Sequence, residues 1–311
     1  MAANCLKMDS KAYHIPVMLP ECIEGLKIKA DGIYVDVTYG GGGHSKAIAS
    51  LLTTGKVIAF DRDADAIKNS LTTNKNLIVI HSSFSNITTE LNSIGITSVD
   101  GVLADLGVSS HQFDEPQRGF AFRFDSALDM RMDVRQQITA ATILNTYSTK
   151  ELQKMFSLYG EVRNAATVAR QIVSFRQHAT LATTADLKKC VSHLVPKSDE
   201  NGFYARLFQA LRIEVNQELK ELELLLQQLP NLIKAEGRLC VMSYHSLEDR
   251  LVKNFIASGN VQGVVEQDVF GNITSKTFTA INKKPIEAKE EEKINNPRSR
   301  SARLRVAEKI K

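Results

Sequence analysis

Cysteine is sparse and scattered in this 311-residue chain: Cys5, Cys22, Cys190 and Cys240 form neither a C-x-x-C pair nor a Cys/His pairing. No disulfide framework or structural zinc site is therefore expected, and reduced thiols in a cytosol are the default. Long apolar runs are missing too. Nothing approaches membrane-spanning length, and Met1 to Ser10 lacks the apolar core of a signal peptide, so a soluble, cytoplasmic protein with no membrane partner is expected. The absence of a Gly-x-Ser-x-Gly elbow argues against a serine hydrolase. No internal repeat and no long low-complexity segment is evident. Charge of one sign is only in slight excess: the formal net charge is +4, which permits a polyanionic partner without requiring one.

What the chain does have is four consecutive glycines, Gly40 to Gly43, between the apolar run Ile33 to Val37 and a helical pattern that starts near Ser45. A strand that turns into a helix through glycine exposes backbone N–H groups to a ligand at close range. The next apolar run, Lys56 to Phe60, ends in Asp61, an acid placed to accept hydrogen bonds from both hydroxyls of a ribose. The full dinucleotide fingerprint is incomplete. Counted from Gly40 its third position is Ser45, and counted from Gly41 it is Lys46. A cofactor with a ribose and an adenine but no pyrophosphate, S-adenosylmethionine, fits better than NAD.

The pattern from Gly32 to Leu106 repeats. Strands are expected at 33–37, 56–60, 77–81 and 99–103, with helices from Ser45, from Ala64 and around Ile87 to Leu91. Such alternation implies βαβ units, a parallel sheet and a ligand site at the carboxyl ends of the strands. Gly40 to Gly43, Asp61, Phe84 and Asp105 all follow strands directly, which gathers them on one rim. From about Glu115 to Gly202 no strand is convincing. The capping box Ser148-x-x-Glu151 opens an amphipathic helix through Tyr159, and 163–176 and 185–194 also read as helices. One long helix over 204–229 then leads to a strand at 238–242, and a hairpin is expected from 264–269 and 273–278 around Gly271-Asn272. The expected organisation is a sheet core in two parts, 1–114 and 203–311, around a helical insertion at 115–202.

Several clusters carry chemistry. In Asp105-Leu106-Gly107-Val108-Ser109-Ser110, the Asp105 carboxylate could accept hydrogen bonds from an amino group on a base ring, or could instead face the cofactor. Phe84 could stack on adenine or simply be core. His44 stands beside the glycines, and Gln112 lies just past the Asp105 loop. Phe120, Arg123 and Arg131 combine aromatic and guanidinium groups suited to clamping RNA, as an ordinary loop also would by chance. Tyr244, read as exposed, and His245 follow the 238–242 strand, where Ser246 and Asp249 would cap the next helix. Arg298, Arg300 and Arg303 belong to a basic run that neutralises phosphates well, or forms a solvated, partly disordered end.

Taken together, Gly42-Gly43-His44-Ser45, Phe60-Asp61-Arg62-Asp63, the Asp105 to Ser110 segment, Arg118-Gly119-Phe120, Leu128 to Asp133, Tyr159-Gly160-Glu161, Ala210 to Asn216, Ser243 to Arg250 and the Pro297 to Arg305 run closely resemble the MraW family of small-subunit ribosomal RNA methyltransferases. The resemblance spans nearly the whole chain. It implies a class I S-adenosylmethionine-dependent methyltransferase core with a helical substrate domain. It also implies methyl transfer to N4 of a cytidine at the decoding centre of 16S rRNA, within the small ribosomal subunit. Cofactor contacts in that family fall on Gly42, Gly43, His44, Asp61, Phe84, Asp105 and Gln112 here. The Asp/Asn-Pro-Pro-Tyr/Phe motif usual in amino-methyltransferases is replaced by Asp105-Leu106-Gly107-Val108, so the base clamp does not carry over and a catalytic Asp105 is an expectation of its own. The chemistry needs no metal. A DNA amino-methyltransferase with the same cofactor pocket is the rival reading, and a homodimer is left open.

Overall fold

The computed structural model describes residues 16–68, 74–268, 270 and 275–310. Among these residues eight strands form one sheet: β1 (Ile33–Asp36), β2 (Lys56–Asp61), β3 (Leu77–His81), β4 (Val99–Asp105), β5 (Ile233–Ser243), β6 (Phe278–Ala280), β7 (Ile286–Glu287) and β8 (Arg303–Lys309). Their order is β3-β2-β1-β4-β5-β8-β6, with β7 also on β8. The first five strands pair in parallel and β8 runs antiparallel to β5, β6 and β7. This is the class I S-adenosylmethionine-dependent methyltransferase architecture expected from the sequence.

The strands form where the apolar runs predict them because buried parallel strands need apolar side chains on both faces. Val35, Val57, Ile58, Phe60, Leu103 and Met242 are all fully shielded from solvent. Helices Leu19–Leu26, Gly43–Ser50 and Ser246–Ser258 belong to the same compact unit, which comprises the chain through Asp61, Asp65–Leu106 and Leu225 onward. No helix among the described residues is long and apolar enough to cross a membrane.

A second unit, Arg62–Ala64 with Gly107–Leu224, is helical and has its own core. Helices Ala140–Thr146, Thr149–Gly160 and Thr184–Val191 each start on a reciprocal capping box, from Thr139 with Thr142, Ser148 with Glu151 and Thr183 with Asp186. Each box satisfies two backbone donors that the first turn leaves bare. The unit is wider than the expected 115–202, because helix Glu200–Asn216 sends Phe203, Tyr204, Leu207, Phe208 and Leu211 into this core.

Three expectations differ from the structure. The single helix over 204–229 is two, Glu200–Asn216 and Glu218–Leu232, separated at Gln217, whose φ of +50° is left-handed. Asn216 explains the break. Its amide nitrogen donates to the Met130 and Arg212 carbonyls and its oxygen accepts from the Met132 N–H, while Arg212 and Glu218 are joined across the bend by hydrogen bonds of 2.7 and 2.9 Å. The expected hairpin is not seen either: 264–266 is irregular, and Val269 and 271–274 lie outside the described residues. The antiparallel edge comes from β6, β7 and β8 instead. Finally, the basic run near the end is no loose tail. Pro297–Ser301 forms a short 3₁₀ turn and Arg303 opens β8, an interior strand of the sheet.

Candidate active site

At the carboxyl end of β1 the chain makes a cradle. Gly42 has φ +75°, a conformation costly for residues with a Cβ, and a Cβ built there would stand 2.6 Å from the Tyr39 ring. A Cβ on Gly43 would stand 2.9 Å from Pro16. The Tyr39 hydroxyl beside this turn is buried and has no hydrogen-bond partner among the described residues. Asp61, at the end of β2, accepts a 2.8 Å hydrogen bond from the Gly40 N–H, so acid and loop are built as one piece. Phe84 opens a 3₁₀ turn after β3 and stays partly exposed. A backbone turn stripped of side chains, an adjoining acid, a partly exposed ring and an orphaned hydroxyl fit an adenosine-type ligand bearing a polar tail.

Beneath the cradle lies a polar ladder that the apolar pattern of the sequence concealed. Asp36, fully buried, accepts from Ser45 Oγ at 2.5 Å and from the Thr38 N–H at 3.1 Å. Burial holds its carboxyl above the ordinary range, although His44 and these donors pull it down. Thr38 Oγ1 donates to Asp36 at 3.3 Å and accepts the Asp105 N–H at 2.7 Å. The signal was an acid inside an apolar strand, followed two residues later by threonine. A buried carboxylate has to find such donors.

Asp105 ends β4 within reach of residues from two other elements. Its Oδ1 accepts a 2.7 Å hydrogen bond from the Tyr244 hydroxyl, and its Oδ2 lies 3.7 Å from His44 Nδ1. Burial pushes its carboxyl up to about 6; His44 and Tyr244 oppose that rise, while Asp36 and Glu248 add to it. The side chain is not sealed off, since 19% of its surface remains accessible. A carboxylate of this kind is largely ionised at neutral pH and can accept a further donor from the rim.

The other expected site residues separate into groups. Gln112 is in the helical unit, buried at 4% exposure. Its Oε1 accepts from the Ser109 N–H and its Nε2 donates to Asp63 at 2.7 Å, so both ends of the amide are engaged in that unit. Phe120 is 4% exposed in the helical core and cannot stack on a base. Arg131 is held by Asp129 through two hydrogen bonds of 2.7 and 2.8 Å and by the Val134 and Gln136 carbonyls, which makes it a loop brace. Arg123 is exposed, paired with Asp114 at 3.1 Å and set over the Phe124 ring. Tyr244 is not exposed as read; its ring packs on the sheet unit's core. His245 is the N-cap of helix Ser246–Ser258 in a box with Glu248, which displaces the expected Ser246 and Asp249 cap, and only 8% of its side chain is accessible. Arg298 and Arg300 are exposed, and Arg303 keeps 48% of its side chain accessible 3.9 Å from Asp249.

Comparison with known proteins identifies the family of the chain. The profile of the MraW methylase family matches residues 11–310. A protein of Cytophaga hutchinsonii named ribosomal RNA small subunit methyltransferase H is 49% identical over 298 residues, covering 96% of this chain and 99% of the relative. One of the same name from Flavobacterium johnsoniae is 49% identical over 299 residues, covering 96% and 98%. Among solved structures, an rRNA methylase from Streptococcus thermophilus aligns over 94% of this chain and 95% of its own at 13% identity and a TM-score of 0.39.

Proposed function

The chain belongs to the MraW methylase family, and from that premise we propose that it transfers a methyl group to N4 of a cytidine in the decoding centre of 16S rRNA. It is an rRNA methyltransferase, and S-adenosylmethionine is its donor. The observation that carries the finer reading is Asp105, an accessible carboxylate on the rim beside the glycine cradle.

The donor supplies a methyl group on a positively charged sulfur, already activated for displacement. The work left to the chain is positioning and charge. Gly42 and Gly43 let the cofactor approach the backbone, Asp61 accepts from the ribose hydroxyls, and Phe84 offers its ring to adenine. The cytosine amine is a poor nucleophile because its lone pair is delocalised into the ring. Asp105, accepting an N–H of that amine, would localise the lone pair and stabilise the positive charge as the N–C bond forms and the methyl–sulfur bond breaks, the extra proton then leaving to water. The base has to leave its stack to reach the rim. The helical unit serves as the RNA substrate domain. Arg123, Arg298, Arg300 and Arg303 contact phosphates, and the cytoplasm is where the protein meets the small subunit.

Small subunits lacking the modification, naked rRNA and DNA are each incubated with the protein and isotopically labelled S-adenosylmethionine, then digested to nucleosides for mass spectrometry. Label in N4-methylcytidine from ribosomal RNA is expected. Label in DNA alone would replace this reading with a DNA amino-methyltransferase, and label on another nucleoside would overturn the target.

A further inference from the structure

We propose that Tyr244 is a positioning residue for methyl transfer: its hydroxyl fixes Oδ1 of Asp105, keeping that carboxylate charged and its Oδ2 turned toward His44. The inference rests on the reading of Asp105 given above.

Tyr244 is placed for this by the backbone. Asp105 and Met242 are register partners on the parallel strands β4 and β5, and Tyr244 stands just past the end of β5. Its N–H donates to Glu248 Oε2 at 2.9 Å, so the capping box that starts the next helix also fixes where this ring begins. The ring is packed on the core, and the hydroxyl meets Asp105 at 2.7 Å. Burial and the neighbouring Asp105 raise the Tyr244 hydroxyl well above its ordinary value, so it keeps its proton and acts as a donor throughout the working range. A donor of this kind favours the ionised carboxylate over the acid.

The opposite face of Asp105 sharpens the need for such a donor. His44 Nε2 lies 3.0 Å from the Val17 carbonyl, which can only accept, so Nε2 carries the ring proton. Nδ1 faces Oδ2 at 3.7 Å, too far for a hydrogen bond, so His44 favours the carboxylate by charge alone and does not fix its orientation. The groups facing Asp105 are His44 from helix Gly43–Ser50, Asp36 from β1, Tyr244 after β5, Glu248 from helix Ser246–Ser258 and Cys22 from helix Leu19–Leu26. Asp36 and Glu248 oppose its ionisation, the buried Cys22 thiol carries no charge to help it, His44 favours it by charge from 3.7 Å, and Tyr244 is the group that favours it through a directed hydrogen bond.

The test is Tyr244→Phe, which removes one atom and preserves the ring. Aspartate labelled with ¹³C at its carboxyl, with the Asp105 signal assigned by its loss in Asp105→Asn, reports the titration in the cofactor-free protein. Methyl transfer to small subunits is followed over the same pH range. Loss of a charge-assisted hydrogen bond is expected to move the Asp105 midpoint up by about one pH unit or more. The acid limb of kcat should follow it, with KM for S-adenosylmethionine nearly unchanged, a split that a merely structural tyrosine would not produce. An unmoved carboxyl midpoint overturns the proposal whatever the activity. A moved midpoint in a protein whose wild type makes no N4-methylcytidine supports the Tyr244–Asp105 coupling and overturns the proposed reaction instead.

Discussion

Asp105 is pulled between fold and chemistry. The fold is more comfortable with a neutral side chain at this buried position, whereas the proposed reaction needs an anion. Because its folded pKa of about 6 lies above the unfolded value, the stability it contributes is complete below the unfolded value and is lost as pH rises through 6. At alkaline pH the charged group therefore costs the fold about 2 kcal/mol, a figure reduced for the part of the side chain that water still reaches. Asp105→Asn is expected to melt higher than wild type near pH 8, with about half that difference at pH 5 and little below about pH 4, while methyl transfer falls at least about tenfold. Thermal melts and single-turnover rates across pH check both halves. Asp61→Ala should cost a similar factor, because that acid holds Gly40 and, in the proposed function, also the ribose. Gly42→Ala imposes both a left-handed alanine and a clash with Tyr39, and a loss of about 1–3 kcal/mol with weakened cofactor binding is expected from denaturation and calorimetry.

At the scale of elements, β8 is the strand whose loss should matter most. Arg305 on β8 donates to Asp249 of helix Ser246–Ser258 at 2.6 and 3.0 Å, a forked and mostly buried ion pair. Arg305→Ala strands the Asp249 carboxylate and should destabilise by about 3 kcal/mol in urea titration, with Asp249→Asn restoring part of the loss in the double variant. The basic run was read as a tail because four arginines suggest solvent. Its alternation, Arg303, Leu304, Arg305, Val306, is the period of a strand with one face buried, and Leu304 and Val306 are indeed in the core. Strands β1 to β4 were legible for the opposite reason: buried parallel strands are uniformly apolar and need no partner to be recognised. The break at Gln217 was not legible. The hydrogen bonds that end that helix run from Asn216 to residues more than eighty positions earlier, and no local signal encodes them. The site was read unevenly on the same principle. Glycines and acids that follow strands announce themselves, whereas Thr38 and Ser45 act through partners known only once the chain is folded, and Tyr244, singled out in the sequence as exposed, is instead packed on the core with its hydroxyl on Asp105.

At the scale of the whole molecule, the chain consists of a sheet unit carrying the glycine cradle and a helical unit with a separate hydrophobic core. The net charge of +4 is too small to bind RNA unaided, so binding should depend on where the arginines stand. Replacing Arg298 and Arg300 together by alanine is expected to weaken small-subunit binding several-fold at low salt, to flatten its salt dependence, and to leave cofactor affinity unchanged. Filter binding over a salt series measures this. The measurement closest to the central claim is the position of the methyl group: small subunits lacking the modification are treated with the protein and labelled S-adenosylmethionine, and the 16S rRNA is digested to oligonucleotides for tandem mass spectrometry. Label confined to N4 of one cytidine in a decoding-centre fragment is the expected result. Label spread over several cytidines, carried on another ring atom, or found outside that fragment would contradict the account.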